Sequence, residues 1–259
     1  MDFEQIKNTG IGAAYKSAEI INNYLGKLTS VNKKGPIDLV TEADIASEKN
    51  IIETIRSRFP DHEILAEESG LNESNDSTCQ WIIDPLDGTT NFAHQIPVFA
   101  ISIAFAVNSE IKVGIVLNPV SGELFTAVHG QGSTLNGGII KVSEEKNISD
   151  SLLVTGFPYD VKQMLDPIML RFKQCVAAAR GIRRLGSAAL DLCFVACGRF
   201  EGFWEENLKP WDTAAGWLIA EEAGALVTDF SGMPFTLDKK EILATNRHIH
   251  NEMKFTLEI

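Results

Sequence analysis

The chain has 259 residues, 44% of them hydrophobic and 22% charged, and a formal net charge of −12. With a mean hydropathy near zero, this is the composition of a soluble globular protein of one large domain or two sharing a core. The acidity argues against holding nucleic acid or an anionic membrane through the overall field, although a pocket of carboxylates built for cations would also make a chain acidic.

The N-terminal MDFEQIKNTGIG lacks the basic and apolar segments of a secretory signal. Apolar residues from Phe3 to Leu25 recur at helical spacing and predict a first helix. Gly35-Pro36 marks a turn, and TEADIASEKNIIETIRSRF predicts a second helix. Thr41 is its expected N-cap, with Asp44 able to complete a capping box, and Pro60 its end. Ile45, Ile51, Ile52, Ile55 and Phe59 are expected to line its buried side. HEILAEES then reads as a short strand running into Glu67 and Glu68, and the polar segment from Gly70 to Gln80 as a loop. WIID, FAISIAFAV, IKVGIVLNP and ELFTAVHG follow as strands, antiparallel because NPVSGE is a turn. FAISIAFAV, the longest apolar run, has the length of a strand and not of a membrane span. GGIIKVSEEKNISD turns polar and suggests a boundary between subdomains at 1–145 and 146–259. Beyond it, SLLVTGF, FEGFWEE, ALVTDF and EILAT read as strands. They alternate with helices at Leu165–Arg180, SAALDLCFVACG, TAAGWLIAEEAG and the tail, so the second half is expected to be α/β. Cys79, Cys175, Cys193 and Cys197 form no C-x-x-C pair and no zinc spacing. They read as buried thiols in a reducing, cytoplasmic setting.

The informative acids stand where apolar elements end: Glu67 and Glu68 after EILA, Asp84 and Asp87 after WII, Asp212 before the TAAG helix, and Asp44 in the first turn of the second helix. Each has a plain structural explanation. Asp212 could cap a helix starting at Thr213, Asp44 could belong to a capping box, and Asp84 before Pro85 could be a turn. Together they suggest one crevice, where several carboxylates stay ionised only beside a cation, and a hard cation such as Mg²⁺ takes oxygen ligands. After Asp87, Gly88 permits close backbone approach, and Gly88, Thr89 and Thr90 would open a short helix through Asn91 and Phe92 with N–H groups free for phosphate.

DPLDGTTNF (Asp84 to Phe92) together with WDTAAG (Trp211 to Gly216) resembles the paired motifs of the inositol monophosphatase family, Mg²⁺-dependent and lithium-sensitive phosphatases. LAEES (Leu65 to Ser69), DLVTEAD (Asp38 to Asp44) and RRLGSAALDLCFVACGRFEGFWE (Arg183 to Glu205) agree in family order. The resemblance implies a mixed α+β and α/β fold, a layered α-β-α-β-α sandwich of the inositol monophosphatase and fructose-1,6-bisphosphatase type, usually a homodimer. It implies two or three Mg²⁺ ions per site and inhibition by Li⁺. Glu67, Asp84 and the Leu86 carbonyl would bind the first ion, Asp84, Asp87 and Asp212 the second, and Glu67 a weaker third. Asp87 and the N–H groups of Gly88 and Thr89 would face the phosphate. Asp44, Glu67 and Thr89 would be catalytic, with Asp44 bonded to Thr89 near the attacking water. Gly186, Ser187, Ala188 and Glu205 would meet the rest of the substrate. Ala66 stands where many relatives have Gly, and Lys33, Lys34 and Gly35 fall where relatives carry a mobile loop near the third metal.

The expected reaction is hydrolysis of a phosphate monoester by direct attack of a metal-activated water, with inositol 1-phosphate as the leading substrate and no nucleic acid or membrane partner. Fructose-1,6-bisphosphatase, histidinol-phosphatase and a nucleotidase for 3′-phosphoadenosine 5′-phosphate share the same metal site and stay open. Arg183 and Arg184 would favour a bisphosphate if they reach the pocket, or are surface charges if they do not. A binding or scaffold role, alone or beside catalysis, is the reading from another class.

Overall fold

The computed structural model describes residues 1–28, 31–33, 39–73, 76–158 and 160–259, with backbone only for 31–33 and 76–77. Lys34, Gly35, Pro36, Asp38 and the Lys33 side chain, all named above, lie outside the described residues.

Asp2 opens α1 (Phe3–Tyr24), its side chain accepting from the Gln5 N–H, and the helix buries Ile6, Ala13, Ala14 and Ile21. A ribbon of β1 (Val31–Lys33) and β2 (Leu39–Thr41) leads to α2 (Glu42–Arg56). Thr41 caps α2 as expected, and the Asp44 carboxylate accepts the Thr41 N–H at 2.8 Å. Ile51 and Ile55 are buried as expected, with Ile52 and Phe59 packed against the same core, but Ile45 is not and the buried stripe extends to polar residues. Ile45 is 56% exposed, while Ala43, Asp44, Ser47, Glu48, Ile51 and Ile55 are buried. Half of that stripe is polar, because the first turns of α2 lie against loops and not against the apolar sheet.

Next come β3 (His62–Ala66), β4 (Gly70–Asn72), β5 (Asp76–Asp87) and α3 (Thr89–Ala93). The segment from Gly70 to Gln80, expected as a loop, thus contains β4 and the start of β5. Its polarity has a simple source: β4 is an edge strand and needs no apolar partner on its open side. The expected strands appear as β6 (Ala100–Val107), β7 (Glu110–Leu117) and β8 (Leu124–Val128), followed by short β9 (Ser133–Leu135) and β10 (Gly138–Ile139). These form an eight-stranded sheet in the order β10-β9-β8-β7-β6-β5-β3-β4. It is antiparallel except where β3 runs parallel to β5.

The second half supplies β11 (Leu152–Thr155), α4 (Leu165–Ala178), β12 (Gly181–Arg183), α5 (Ala188–Ala196) and β13 (Gly202–Glu206). It ends with α6 (Pro210–Glu222), β14 (Leu226–Thr228), β15 (Glu241–Thr245) and α7 (His250–Leu257). The five-stranded sheet has the order β12-β11-β13-β15-β14. Only β12, β11 and β13 run parallel; β15 pairs antiparallel with both neighbours.

Side-chain alternation along the strands assigns the layers. Trp81 and Ile83 of β5, with Ile101, Ile103 and Phe105 of β6, pack under α1 and α2. Ile82, Ala100, Ala104 and Ala106 face the other way, toward α5, α6 and the second sheet's Val154, Phe203 and Ala244. The outer face of the second sheet, Leu153, Trp204 and Leu243, meets Cys175 of α4 and Ile249, Met253 and Leu257 at α7. The result is a five-layer α-β-α-β-α sandwich. Its middle helices are apolar nearly all round, as burial between two sheets requires. No described helix is long and apolar enough to cross a membrane.

The middle layer is tight. A Cβ on Gly114 of β7 would lie 2.7 Å from the Ala215 carbonyl of α6. Gly114→Ala should therefore push α6 off the sheet and lower stability by about 1–3 kcal/mol, read as a lower urea midpoint at unchanged m-value.

Candidate active site

The break after WII is a bulge. Asp84 pairs with Ser102 and Asp87 with Ala100, so β5 advances one residue more than β6 between them. Pro85 at this point has no N–H for the ladder. The Leu86 side chain is buried in the core and its N–H donates to Asp84 Oδ1 at 2.9 Å. The Leu86 carbonyl accepts from Thr89 Oγ1 at 3.1 Å. Gly88 then caps α3 with φ +95°, and a Cβ there would come within 3.0 Å of the Gly186 carbonyl and 3.1 Å of that of Val98. Both the dihedral and the crowding demand glycine. The first N–H groups of α3 have no partner inside the helix.

Three other elements bring carboxyl groups to this bulge. Glu67 directly follows β3, and its N–H donates to the Ile83 carbonyl at 3.1 Å, beside Asp84. Asp44, in the first turn of α2, accepts from Thr89 Oγ1 at 3.0 Å through Oδ1. Asp212 comes from α6, and here the structure corrects the sequence reading. The helix begins at Pro210, not Thr213, so Asp212 is its third residue and accepts the Lys209 N–H at 2.6 Å. Proline suits a first helical turn, where its missing N–H costs nothing.

Asp87 is held from the far half of the chain. Its Oδ2 accepts Ser187 Oγ at 2.6 Å and the Ala189 N–H at 2.8 Å, both at the N-terminus of α5. Asp87, Gly88 and Thr89 line one pocket with Gly186, Ser187, Ala188, Glu205 and Asp212. The Glu205 carboxyl lies against Gly156, where a Cβ would collide with it. Arg184, an exposed residue, also borders the pocket, its guanidinium 5.7 Å from the Phe157 ring centroid. Arg183 instead turns back to the Ile182 carbonyl.

Charge dominates the chemistry here. Burial, and then repulsion from Glu67, Asp87 and Asp212, hold the Asp84 carboxyl far above the usual range. Asp212 is raised for the same reasons, burial first and Asp87 next. Asp87 is pushed up to about 6 by burial, against the hydrogen bonds from Ser187 and the α5 N–H groups. Glu205 is pushed up to about 8 by burial, with the Arg184 cation opposing and Asp212 and Asp87 reinforcing. Among the described residues no three His, Cys, Asp or Glu side chains are drawn up around a single point. An all-oxygen donor set under such repulsion fits a hard divalent cation, which would draw the groups inward.

Glu68 takes another path, its N–H donating to the Glu48 carboxylate at 2.8 Å. Glu48 and Asp191 went unnoticed in the sequence. Asp191 is buried in α5, with no hydrogen-bond partner for either carboxyl oxygen among the described residues, and burial followed by Glu205 raises its pKa. Asn91 was also missed as more than a helix residue. Its Nδ2 donates to the carbonyls of Val98 and Leu185, both at 2.7 Å, and so ties α3 to the pocket's opposite rim.

Residues 2–257 match the model of the inositol monophosphatase family. A Synechocystis protein named inositol-1-monophosphatase is 47% identical over 241 residues, 93% of this chain and 84% of its own length. A Pseudomonas aeruginosa protein named Nus factor SuhB is 42% identical over 257 residues, covering 97% of this chain and 95% of that one. The crystal structure of extragenic suppressor protein SuhB from Bartonella henselae superposes with a TM-score of 0.94 at 39% identity, over 98% of both chains.

The repulsion gives a signed pH dependence. A buried carboxyl with a raised pKa costs nothing at low pH, and its cost grows as pH climbs from the ordinary 3.8 through the folded value. In chelator, thermal melts should therefore show wild type losing stability with rising pH relative to Asp84→Asn. Added Mg²⁺ should raise the wild-type midpoint and move the variant less. Parallel pH profiles for the two proteins would contradict this electrostatic picture.

Proposed function

We propose, from the premise that the chain belongs to the inositol monophosphatase family and so to the phosphoric monoester hydrolases, that it is an Mg²⁺-dependent phosphatase hydrolysing inositol 1-phosphate. The observation that carries the reading is the convergence of Glu67, Asp84, Asp87 and Asp212 at the bulge of β5, beside a pocket lined by Gly88, Thr89 and Glu205. Glu67, Asp84, Asp87, Asp212 and the Leu86 carbonyl are proposed to hold two or three Mg²⁺ ions. Bound there, Mg²⁺ supplies charge neutralisation for the phosphate and lowers the pKa of water.

The protein's own groups do the remaining work. The N–H groups of Gly88 and Thr89 grip phosphate oxygens and keep the phosphorus fixed for in-line attack. Thr89 Oγ1, donating to Asp44 Oδ1, orients the attacking water and relays its proton to that carboxylate. Asp44 is buried and its pKa raised, mainly by desolvation, which makes it a stronger base than a surface aspartate. Glu205, buried at the pocket wall with its pKa raised chiefly by burial, meets a hydroxyl of the substrate. Gly186, Ser187 and Ala188 form the wall beside it.

The proposal extends to Li⁺ inhibition, a homodimer, a cytoplasmic setting and a small phosphorylated polyol or sugar as the substrate class. Arg184 at the pocket rim supports a second reading within the same chemistry, a bisphosphate substrate. The name Nus factor carried by the Pseudomonas aeruginosa relative supports a binding role beside catalysis.

Phosphate release from inositol 1-phosphate, fructose 1,6-bisphosphate, histidinol phosphate and 3′-phosphoadenosine 5′-phosphate, each with Mg²⁺, tests the substrate. Inositol 1-phosphate should give the highest kcat/KM. Asp84→Asn and Asp212→Asn should each lower turnover by roughly 10²-fold or more while the chain still melts cooperatively. Near-normal turnover in either variant would sink the assignment.

A further inference from the structure

We propose that the buried polar stripe of α2 is the jig that sets the cation-binding loops, with Glu48 and Ser47 as positioning residues. This rests on the reading of Glu67 and Asp84 as Mg²⁺ ligands.

Glu48 is only 4% exposed. Its Oε2 accepts the Glu68 N–H at 2.8 Å and its Oε1 accepts the Ser69 N–H at 3.0 Å. Those are the two amides directly after Glu67. The Glu67 N–H itself is held by the Ile83 carbonyl of β5. The turn is thus fixed on one side by the strand that delivers Asp84 and on the other by α2. One residue earlier on the helix, Ser47 Oγ donates to the Pro85 carbonyl at 2.9 Å, inside the bulge between Asp84 and Leu86. The Ser47 carbonyl in turn accepts from Ser17 Oγ of α1 at 3.2 Å. A turn before that, Asp44 holds Thr89.

Positions 44, 47 and 48 are i, i+3 and i+4, so they share one face. A single rigid helix therefore touches the turn after β3, the bulge of β5 and the start of α3. Burying a carboxylate is costly unless its oxygens are bonded. Two amides in the fork of one carboxylate meet that condition and also lock the turn's path. Gln at 48 would keep one acceptor oxygen and turn a donor toward the other amide. Ion binding needs its ligands held within about 0.5 Å, and outer partners of ligand groups typically change metal affinity by 10–100-fold.

The test is titration calorimetry of Mg²⁺ into chelator-treated wild type, Glu48→Gln and Ser47→Ala, with thermal melts of each in chelator. Wild type should bind Mg²⁺. Glu48→Gln should bind it about 10- to 100-fold more weakly while melting cooperatively, and saturating Mg²⁺ should restore phosphate release because Glu48 touches no substrate. A folded Glu48→Gln protein with wild-type Mg²⁺ affinity overturns the proposal, as does a loss of turnover that saturating Mg²⁺ leaves untouched. If Glu48→Gln does not fold, Ser47→Ala decides: weakened Mg²⁺ binding supports the jig and unchanged binding overturns it. Wild type failing to bind Mg²⁺ would instead remove the metal reading on which the proposal stands.

Discussion

Everything around the site answers one constraint, the repulsion among carboxyl groups buried together. Asp84 and Asp212 are pushed above the usual carboxylate range by burial first and by neighbouring acids next, and Asp87 by burial against the hydrogen bonds it accepts. A fold that only maximised stability would not gather them. This one does, and then spends hydrogen bonds to keep them in place. Leu86 donates to Asp84, Ser187 and Ala189 to Asp87, and Lys209 to Asp212. For Asp84 and Asp212 the donor is local to the bulge or helix end that brings the acid in, whereas Asp87 is held from the distant N-terminus of α5.

The sandwich explains how four separate segments can be held to that tolerance. The middle helices α5 and α6 lie between two sheets and are gripped on both sides. Asp212 rides on α6, whose approach to β7 is set by the bare Gly114. The α5 N-terminus presents Ser187 to Asp87, and α2 covers the site from the opposite face of the first sheet. The acids are therefore placed by the packing of whole layers, and a shift of any layer moves one of them.

Much of this was legible from residues alone. The paired motifs, the Thr41 cap and the strand ends identified both family and acids, because each is a local signal written in neighbouring residues. What stayed hidden depended on distant neighbours. Ile45 looked like core because its spacing is helical, yet the buried face of α2 is polar where loops from β3 and β5 cover it. Glu48 carries no local signal, because the turn that folds over it lies twenty residues later. Asp212 looked like an N-cap because Asp suits that position, yet Pro210 opens α6 two residues earlier. The short strands β4, β9, β10 and β12 carry no periodic pattern long enough to read.

The bond between Ser187 and Asp87 spans a hundred positions of sequence. That separation orders events in time. A chain growing from its N-terminus has already produced Glu67, Asp84 and Asp87 when β10 is complete, yet it lacks the α5 hydroxyl and the α6 carboxylate. The first sheet can collapse early through its near-neighbour strands, but the acids wait, unneutralised and unanchored, until the C-terminal layers dock. The acids thus come together only when the last layers of the sandwich dock.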